Sequence, residues 1–314
     1  MKKIIIAGPG NSGSGAILDF LKDRDDVFLP FENQEFRLVN DPDGIRDLEH
    51  NLYYNFSING ASNSMYAFKK FCKNLESKKK NHYPSKFHHL CQEYLKNITH
   101  LEYNGLPNFS KSKINLIDTF RFYFEKIILN KKISDINVFK LILPVNHNLF
   151  INYSTNFIDK IIKSTDTYSN DKLALIDQSI NIYEATQNLK FFSNSKCIIT
   201  LRDPIGTYYS ISQNPAFAYA GLTIDKFIRW YEYIYEKISN LEINSNKFLI
   251  IKFDDFLCKH NQTKKTILKF LSLDEKYSSF DIEKSIQKNS NIDSKLSSND
   301  LHQLKTKLSK FIQK

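Results

Sequence analysis

The chain has 314 residues, of which 41% are hydrophobic and 25% are charged, and its 44 lysines and arginines against 34 aspartates and glutamates give a formal net charge of +10. This composition excludes a disordered chain, and no apolar run reaches the roughly 18 residues that would cross a bilayer. The four cysteines lack C-x-x-C spacing and paired histidines, so we expect neither a disulfide framework nor a zinc site, and a reducing cytoplasm is the expected location.

Short apolar runs alternate with amphipathic helical patterns along the chain. The runs are apolar at consecutive positions, which is typical of strands covered by helices on both faces. Strand alternating with helix predicts an α/β fold, a parallel β-sheet flanked by helices. The predicted strands are Lys3–Ala7, Val138–Leu143, Leu173–Ile176, Cys197–Leu201 and Phe248–Phe253, and the predicted helices are Ala16–Lys22, Phe87–Leu95, Leu116–Ile128, Ile180–Phe192, Ile224–Leu241 and Thr263–Phe270.

We expect residues 1–314 to form a single domain with two additions. Residues from about 51 to 134 show no convincing strand pattern, so they predict a mostly helical insertion. From about residue 274 the chain is polar, and it ends in a predicted helix at Asp300–Ile312. A lysine cluster in the insertion predicts a solvated helix face, with an acidic partner as the alternative. This cluster consists of Lys69, Lys70, Lys73, Lys78, Lys79 and Lys80.

Four of the nine glycines lie within eight positions, directly after the first predicted strand. The segment Gly8–Gly15 reads G-P-G-N-S-G-S-G and leads into a helix. Glycines let successive backbone N–H groups point into one concavity, and the helix N-terminus adds partial positive charge, so this loop predicts a phosphate site. A structural tight turn is the alternative. The loop also fits the dinucleotide pattern G-x-G-x-x-G, in which Glu32 or Glu35 would hold a ribose, but it lacks the lysine of an ATP-binding P-loop.

A second candidate phosphate site follows the predicted strand Cys197–Leu201. Arg202 comes directly after it, and Pro204 suits the first turn of a helix, which places Arg202 where open α/β sheets bind ligands. Ser210 lies eight residues on, about two turns along that helix. An arginine and a hydroxyl can together hold one phosphate, whereas an Arg202–Asp203 pair that caps the helix is the alternative. With the glycine loop, this segment predicts a nucleotide phosphorylated at two separate places.

These two segments together resemble the sulfotransferases that use 3'-phosphoadenosine 5'-phosphosulfate (PAPS), a family with a P-loop NTPase-like fold. Its members pair a strand–loop–helix of the form G-x-x-x-S-G-[ST] with a later R-D-P-x-x-x-x-x-S. The late segment Phe248–Leu257 resembles the family's strand ending in [YF]-[ED]-D-[LF], and Ser290–Ile292 resembles its C-terminal nucleotide lid. The resemblance implies that the loop holds the 5'-phosphosulfate and that Arg202 and Ser210 hold the 3'-phosphate. The implied nucleotide-binding residues are Gly10, Asn11, Ser12, Gly13, Ser14, Gly15, Ala16, Arg202 and Ser210.

Two positions depart from the family's pattern. Many members carry Lys or Arg immediately before the S-G of the loop, where the cation offsets charge on the leaving oxygen, and the segment here has Asn11 one position before Ser12. Cytosolic members carry K-T-H-L-P with His as the base, whereas Lys140–Pro144 has Ile142 at the His position. We expect Lys140, on a predicted buried strand, to supply the cation instead, with a snorkelling edge lysine as the alternative.

The base that deprotonates the acceptor is expected just beyond the first helix. Residues 27–37 resemble the E-N-E-V-H-F-F region of heparan-type sulfotransferases, in which a Glu is the base, and this resemblance nominates Glu35, with Glu32 second. Arg37 would hold the Glu35 carboxylate ionised, and a surface Glu–Arg pair is the alternative. His50 and His147 are reserve candidates.

The resemblance implies transfer of a sulfuryl group from PAPS to a hydroxyl of a carbohydrate or small-molecule acceptor, without a metal ion. The positive charge of the chain suits the anionic nucleotide and an anionic glycan acceptor. A P-loop kinase is one alternative, against which the missing G-K-[ST] argues, and an inactive relative that binds nucleotide or glycan is another. The lysines are dispersed without an aromatic–basic pattern, so no nucleic-acid partner is expected.

Overall fold

The computed structural model describes residues 1–32, 34–77, 83–105, 116–213, 220, 223–241, 244–275 and 280–312. Lys78, Lys79 and Lys80 of the lysine cluster lie outside the described residues. The chain divides into two compact units, which we call the first and the second unit. The first unit comprises Met1–Glu35, Ser169–Leu189 and Asn194–Lys314, and the second comprises Phe36–Tyr168 and Lys190–Ser193. The assignment of residues 1–314 to a single domain stays a prediction.

The strands and helices follow in chain order. The strands are β1 (Lys3–Ala7), β2 (Val27–Phe28), β3 (Thr99–Asn104), β4 (Lys140–Pro144), β5 (Leu173–Asp177), β6 (Ser195–Leu201) and β7 (Phe248–Lys252). The helices are α1 (Ser14–Lys22), α2 (Ile45–Glu49), α3 (Ile58–Ser77), α4 (Phe87–Asn97), α5 (Leu116–Tyr123), α6 (His147–Lys163), α7 (Ala185–Leu189), α8 (Pro204–Ser212), α9 (Ile224–Ser239), α10 (Phe253–Cys258), α11 (His260–Leu271), α12 (Ile282–Asn289), α13 (Ile292–Lys295) and α14 (Ser298–Lys307). None of the described helices is both long and apolar enough to cross a membrane.

The first unit is built on a five-stranded sheet in the order β2-β5-β1-β6-β7, and every neighbouring pair in it is parallel. This arrangement with flanking helices confirms the predicted α/β class. The central strand β1 pairs Ile5 with Ile176 of β5 on one side and with Cys197 of β6 on the other. All five residues of β1 are buried, as the unbroken apolar run predicts.

Two hydrophobic clusters join the helices of the first unit. In one, Ile17 and Leu21 of α1 pack with residues of β1 and with Leu268 of α11. In the other, α8, α9 and α14 contribute Tyr208, Tyr231 and Leu304. Burying a large apolar side chain stabilises a fold by about 1.5–3 kcal/mol, so these clusters fix the helices that follow the strands.

Because the strands are parallel, their carboxyl ends lie at one edge of the sheet. The glycine loop follows β1 there, Asp177 ends β5, Arg202 follows β6 and Phe253 follows β7. Ligands of open α/β sheets bind at this edge. The topology of the first unit therefore gathers segments that are up to about 240 residues apart in the sequence, as the positions of the loop and Phe253 show.

The prediction that Val138–Leu143 joins the parallel sheet is wrong. Lys140–Pro144 forms β4, which pairs antiparallel with β3 in a separate two-stranded sheet. Residues 51–134 show no convincing strand pattern in the sequence but contain β3, while the rest of their described part is mostly helical. The backbone of β4 also forms hydrogen bonds with side chains of α3. The N–H of Ile142 donates to Ser62 Oγ (2.9 Å), and the N–H of Lys140 donates to the Tyr66 hydroxyl (3.0 Å).

Two predicted helices are broken, and α6 is one of several helices that the sequence patterns did not predict. The predicted helix Ile180–Phe192 is instead a 3₁₀ turn (Ile182–Glu184) followed by the short α7, because Phe191 and Phe192 leave the first unit and are buried in the second. Leu116–Ile128 forms α5 followed by a π-helical turn. The unpredicted α6 begins where the Asn146 side chain accepts a hydrogen bond from the Leu149 N–H (3.0 Å).

A buried carboxylate organises charged side chains of the second unit. Glu49 is 0% exposed, and its Oε1 accepts hydrogen bonds from His147 Nε2 (2.6 Å) and Lys190 Nζ (2.5 Å), while Oε2 pairs with Arg46. Burial alone would raise the pKa of Glu49, but the hydrogen bonds from Lys190, His147 and Arg46 outweigh it and hold that pKa below its usual value. His147, a reserve candidate for the base, is therefore a partner of Glu49.

Candidate functional site

The glycine loop of the first unit needs glycine at two positions for steric reasons. Gly13 has a φ of 89°, in the left-handed region, and a Cβ there would lie 2.3 Å from the Phe253 ring. A Cβ on Gly8 would lie 2.7 Å from the carbonyl oxygen of Thr200. Asn11 has a φ of 58°, which Asn adopts more readily than most side chains. The residue that stands in place of the family's cation thus suits the backbone of the loop.

Gly15 has a different environment from Gly8 and Gly13. A Cβ at Gly15, in the first turn of α1, would meet no atom within 4 Å. Ser12 Oγ lies beside Gly8, and both this oxygen and Thr200 Oγ1 are buried without a hydrogen-bond partner among the described residues. Buried polar groups are nearly always hydrogen-bonded, so these oxygens and the open space beside the helix N-terminus fit a bound polar group such as a phosphate.

The guanidinium of Arg202 joins the two segments that the sequence singled out. It is buried, with 7% of the residue exposed. Its Nη1 donates to Ser210 Oγ (2.6 Å) and, more weakly, to the carbonyl oxygen of Asn11 in the glycine loop (3.4 Å). Its Nη2 donates to Asn289 Oδ1 (2.5 Å). The structure therefore brings the loop, Arg202 and Ser210 together, as the sequence predicts, and adds Asn289.

Four neighbours fix the position of Arg202. Its carbonyl oxygen accepts hydrogen bonds from the hydroxyls of Tyr231 (2.7 Å) and Tyr235 (2.6 Å) on α9. Its guanidinium lies 5.2 Å from the centre of the Phe253 ring. A Cβ on Gly206 would lie 2.6 Å from Arg202 Nε, so in this position the guanidinium packs directly over the glycine of α8. These contacts orient the side chain in advance of any ligand.

Asp203 caps α8 without pairing with Arg202. Its carboxylate accepts a hydrogen bond from the Gly206 N–H (2.9 Å), and its own backbone N–H donates to Asp254 Oδ2 (3.2 Å). Burial and the charge of Asp203 raise the pKa of Asp254 to about 6. Within the described residues no carboxylate forms an ion pair with Arg202, so the Arg202–Asp203 capping pair considered from the sequence is not formed.

Glu35, the nominated base, is exposed and lies near Asp177 at the end of β5. Burial, with a contribution from the charge of Glu35, raises the pKa of Asp177 to about 7. The next residue, Gln178, donates from Nε2 to Ser14 Oγ at the end of the glycine loop (2.9 Å). Glu32, the second nominee, is exposed and has a φ of 52°. The end of β5, near Glu35, is thus connected to the loop through the hydrogen bond of Gln178.

The remaining nominated residues belong to the second unit. Lys140 lies on β4, where its Nζ is 3.5 Å from Glu102 Oε1 and its side chain is 29% exposed. The premise that it lies on a buried strand of the parallel sheet is wrong, and its role as a cation stays a prediction. Arg37 donates from Nε to Asp41 Oδ1 (2.5 Å), and His50 begins a π-helical turn.

Sequence reasoning missed three residues of the site. Asn289 directly precedes the Ser290–Ile292 segment that resembles the nucleotide lid, so the signal was one residue away. Phe253 is the last residue of one predicted strand and Asp177 directly follows another, and their contacts depend on the order of those strands in the sheet. Among the residues that the structure describes, no group of three or more His, Cys, Asp or Glu side chains is placed to hold a metal ion.

Several solved structures are similar to the chain. A sulfotransferase domain from the curacin biosynthetic pathway has a TM-score of 0.40 at 13% identity, covering 98% of this chain and 97% of that one. Sulfotransferases from Mycobacterium avium (TM-score 0.40, 10% identity, 99% and 76% covered) and from Alicyclobacillus acidocaldarius (0.37, 10%, 97% and 94%) are also similar. No protein-family model and no curated protein matches the chain. Likeness at this level is too weak to assign a function, which rests on the site itself.

Substitution of Asp177 should change how stability depends on pH. Its folded pKa of about 7 lies above the value of 3.8 expected in an unfolded chain, so the wild type loses stability as the pH rises between these values. Asp177→Asn cannot ionise and escapes this loss. We therefore expect the variant to gain at least about 1 kcal/mol of unfolding free energy relative to wild type between pH 4 and pH 8, the equivalent of roughly one pKa unit.

Urea denaturation at both pH values measures this gain. Asp171→Asn, at an exposed carboxylate just before β5, is the matched control and should follow the wild type. A gain of the same size in Asp171→Asn, or none in Asp177→Asn, would show that Asp177 ionises normally in the folded chain.

Proposed function

We propose that the chain is a sulfotransferase that transfers a sulfuryl group from PAPS to a hydroxyl of a carbohydrate or small-molecule acceptor, without a metal ion. The observation that carries the proposal is the buried Arg202 guanidinium, which reaches Ser210 Oγ at 2.6 Å and the glycine loop at 3.4 Å. One anion-binding group contacts both segments for which the sequence predicts phosphates, so a nucleotide with two phosphate positions matches the site.

In this proposal each end of the nucleotide has its own set of donors. Arg202 and Ser210 hold the 3'-phosphate, because a guanidinium and a hydroxyl supply several donors to one tetrahedral anion. The backbone of Gly10–Ala16 and the Ser12 hydroxyl hold the 5'-phosphosulfate at the N-terminus of α1. Asn289 Oδ1 accepts a hydrogen bond from the second nitrogen of the guanidinium, and Nε, which has no hydrogen-bond partner in the part of the chain that the structure describes, is an additional donor.

The chemical step forms one bond and breaks one bond. The acceptor hydroxyl oxygen forms a bond to sulfur, the bond from sulfur to the bridging oxygen breaks, and the products are a sulfate ester and 3'-phosphoadenosine 5'-phosphate. The hydroxyl proton goes to the Glu35 carboxylate, the proposed base, and Glu32 is the second choice. Loop N–H groups and the helix N-terminus oppose the charge that collects on the leaving oxygen.

Nucleotide binding tests the proposal directly. We expect 3'-phosphoadenosine 5'-phosphate to bind at least about tenfold more tightly than ADP, since a hydrogen bond to a charged group contributes about 1.5–3 kcal/mol. Arg202→Ala should remove most of this preference while ADP affinity changes little. Isothermal titration calorimetry of both nucleotides with wild type and variant gives the two ratios.

Arg229→Ala is the control, because Arg229 is exposed on α9 and should leave both affinities unchanged. Equal affinity of the wild type for the two nucleotides would refute the assignment of the 3'-phosphate. A preference that survives in Arg202→Ala would place the 3'-phosphate elsewhere.

Turnover should depend on Glu35. Glu35→Gln keeps the shape of the side chain but cannot accept a proton, so sulfuryl transfer should fall by about 100-fold or more while nucleotide affinity stays nearly unchanged. Radiolabelled PAPS with a panel of hydroxyl acceptors measures transfer. Glu32→Gln is the matched control, and loss of transfer in this variant alone would shift the base by three residues.

The role of Lys140 is tested by its effect on PAPS binding. As a leaving-group cation, Lys140 would interact more strongly with PAPS than with the desulfonated product. Lys140→Ala should therefore lower the affinity for PAPS more than the affinity for the product nucleotide. Equal binding of PAPS by variant and wild type would remove Lys140 from the reaction. A protein that binds the nucleotide but transfers to no acceptor would support the inactive relative, which Asn11 in the loop and Ile142 at the family's His position favour.

A further inference from the structure

The second unit contains a cavity, and among its described lining residues Lys140 is the one to which the proposed function gives a role. The volume of the cavity is about 620 Å³, and residues of α3, α4, β3 and β4 line it. This volume lies within the range of pockets that take small organic ligands, about 300–1,000 Å³. All of the described lining residues belong to the second unit.

The charged side chains of the cavity are mostly positive. Lys69 of α3, Lys96 of α4 and Lys140 of β4 line it, and Glu102 is the acidic residue among its lining residues. Glu102 lies 3.5 Å from Lys140, and within the described residues neither Lys69 nor Lys96 has an ion-pair partner. Two ammonium groups from two different helices are therefore available to one anionic group, which gives that group a preferred position.

The rest of the lining offers an apolar wall. Met65 and Ile142 have 4% and 7% of their surface exposed, and Leu95 of α4 is half-buried beside them. The wall is rigid, because Ser62 and Tyr66 of α3 accept hydrogen bonds from the backbone of β4. A purely charged ligand would leave this surface in contact with water, and a purely apolar ligand would leave the lysines unpaired.

We propose that this cavity binds an anionic amphiphile, a molecule in which one carboxylate or sulfate ester is joined to an apolar body. The anion pairs with Lys69 and Lys96, and the body packs on Met65, Leu95 and Ile142. This binding activity goes beyond the proposed sulfotransferase function and does not depend on it, since Lys69 and Lys96, which pair with the anion, have no part in that function.

Calorimetric titration of the full chain with octanoate, octyl sulfate and octanol, each below its micelle concentration, tests the proposal. The three probes share an eight-carbon body and differ in the head group. We expect octanoate or octyl sulfate to bind at least about tenfold more tightly than octanol, and the ratio between the two anions identifies the head group. The affinity for the anion should fall as salt is added, because partly exposed lysines are screened.

Lys69→Gln and Lys96→Gln should each lower the affinity for the anionic probe about fivefold to tenfold and make that affinity less dependent on salt. The affinity for octanol should stay unchanged. Lys70→Gln is the matched control, because Lys70 is the exposed neighbour of Lys69 on α3 and does not line the cavity. Equal affinity for octanol and octanoate, or equal effects of Lys69→Gln and Lys70→Gln, would overturn the proposal. Affinity for 3'-phosphoadenosine 5'-phosphate, measured on the same samples, should be unchanged in all three variants and separates this result from the nucleotide proposal.

Discussion

The candidate site depends on a buried positive charge whose hydrogen-bond partners among the described residues are all neutral. Arg202 is 7% exposed, and its side chain donates to a serine hydroxyl, an amide oxygen and a backbone carbonyl. Burial lowers the pKa of its guanidinium from the usual value, and the negative charges of Asp254 and Asp203 oppose this shift from a distance. A buried charge is costly unless an opposite charge meets it, so the arrangement favours binding of an anion at this position.

The sheet topology explains how such a group meets the glycine loop. Strands β1 and β6 are neighbours and parallel, with Ala7 paired to Ile199, so the segments that follow them leave the sheet side by side. The loop presents backbone N–H groups there, and Arg202 presents a guanidinium. Strand β5, on the other side of β1, ends at Asp177 and brings Gln178 to Ser14. The order of three strands thus determines which chemical groups lie together.

Much of the first unit could be predicted from sequence because local patterns determine it. The apolar run of β1, the crowded glycines and the R-D-P segment each indicate their own structure, and the eight-residue spacing from Arg202 to Ser210 spans two helical turns. The second unit could not be predicted in this way. Strand β4 reads like a strand of the main sheet, and only its tertiary partners, β3 and the hydroxyls of α3, show otherwise. Glu49 is likewise defined by partners up to 141 positions away.

The central claim is that Arg202 and Ser210 select the position of a phosphate on the ribose. Adenosine 3',5'-bisphosphate and adenosine 2',5'-bisphosphate test it most directly, because the two isomers carry the same charge and the same 5'-phosphate. The account predicts that the wild type binds the 3',5' isomer about tenfold more tightly or better, and that Ser210→Ala with Arg202→Ala abolishes the difference. Equal affinity of the wild type for both isomers, measured by calorimetry, would contradict it.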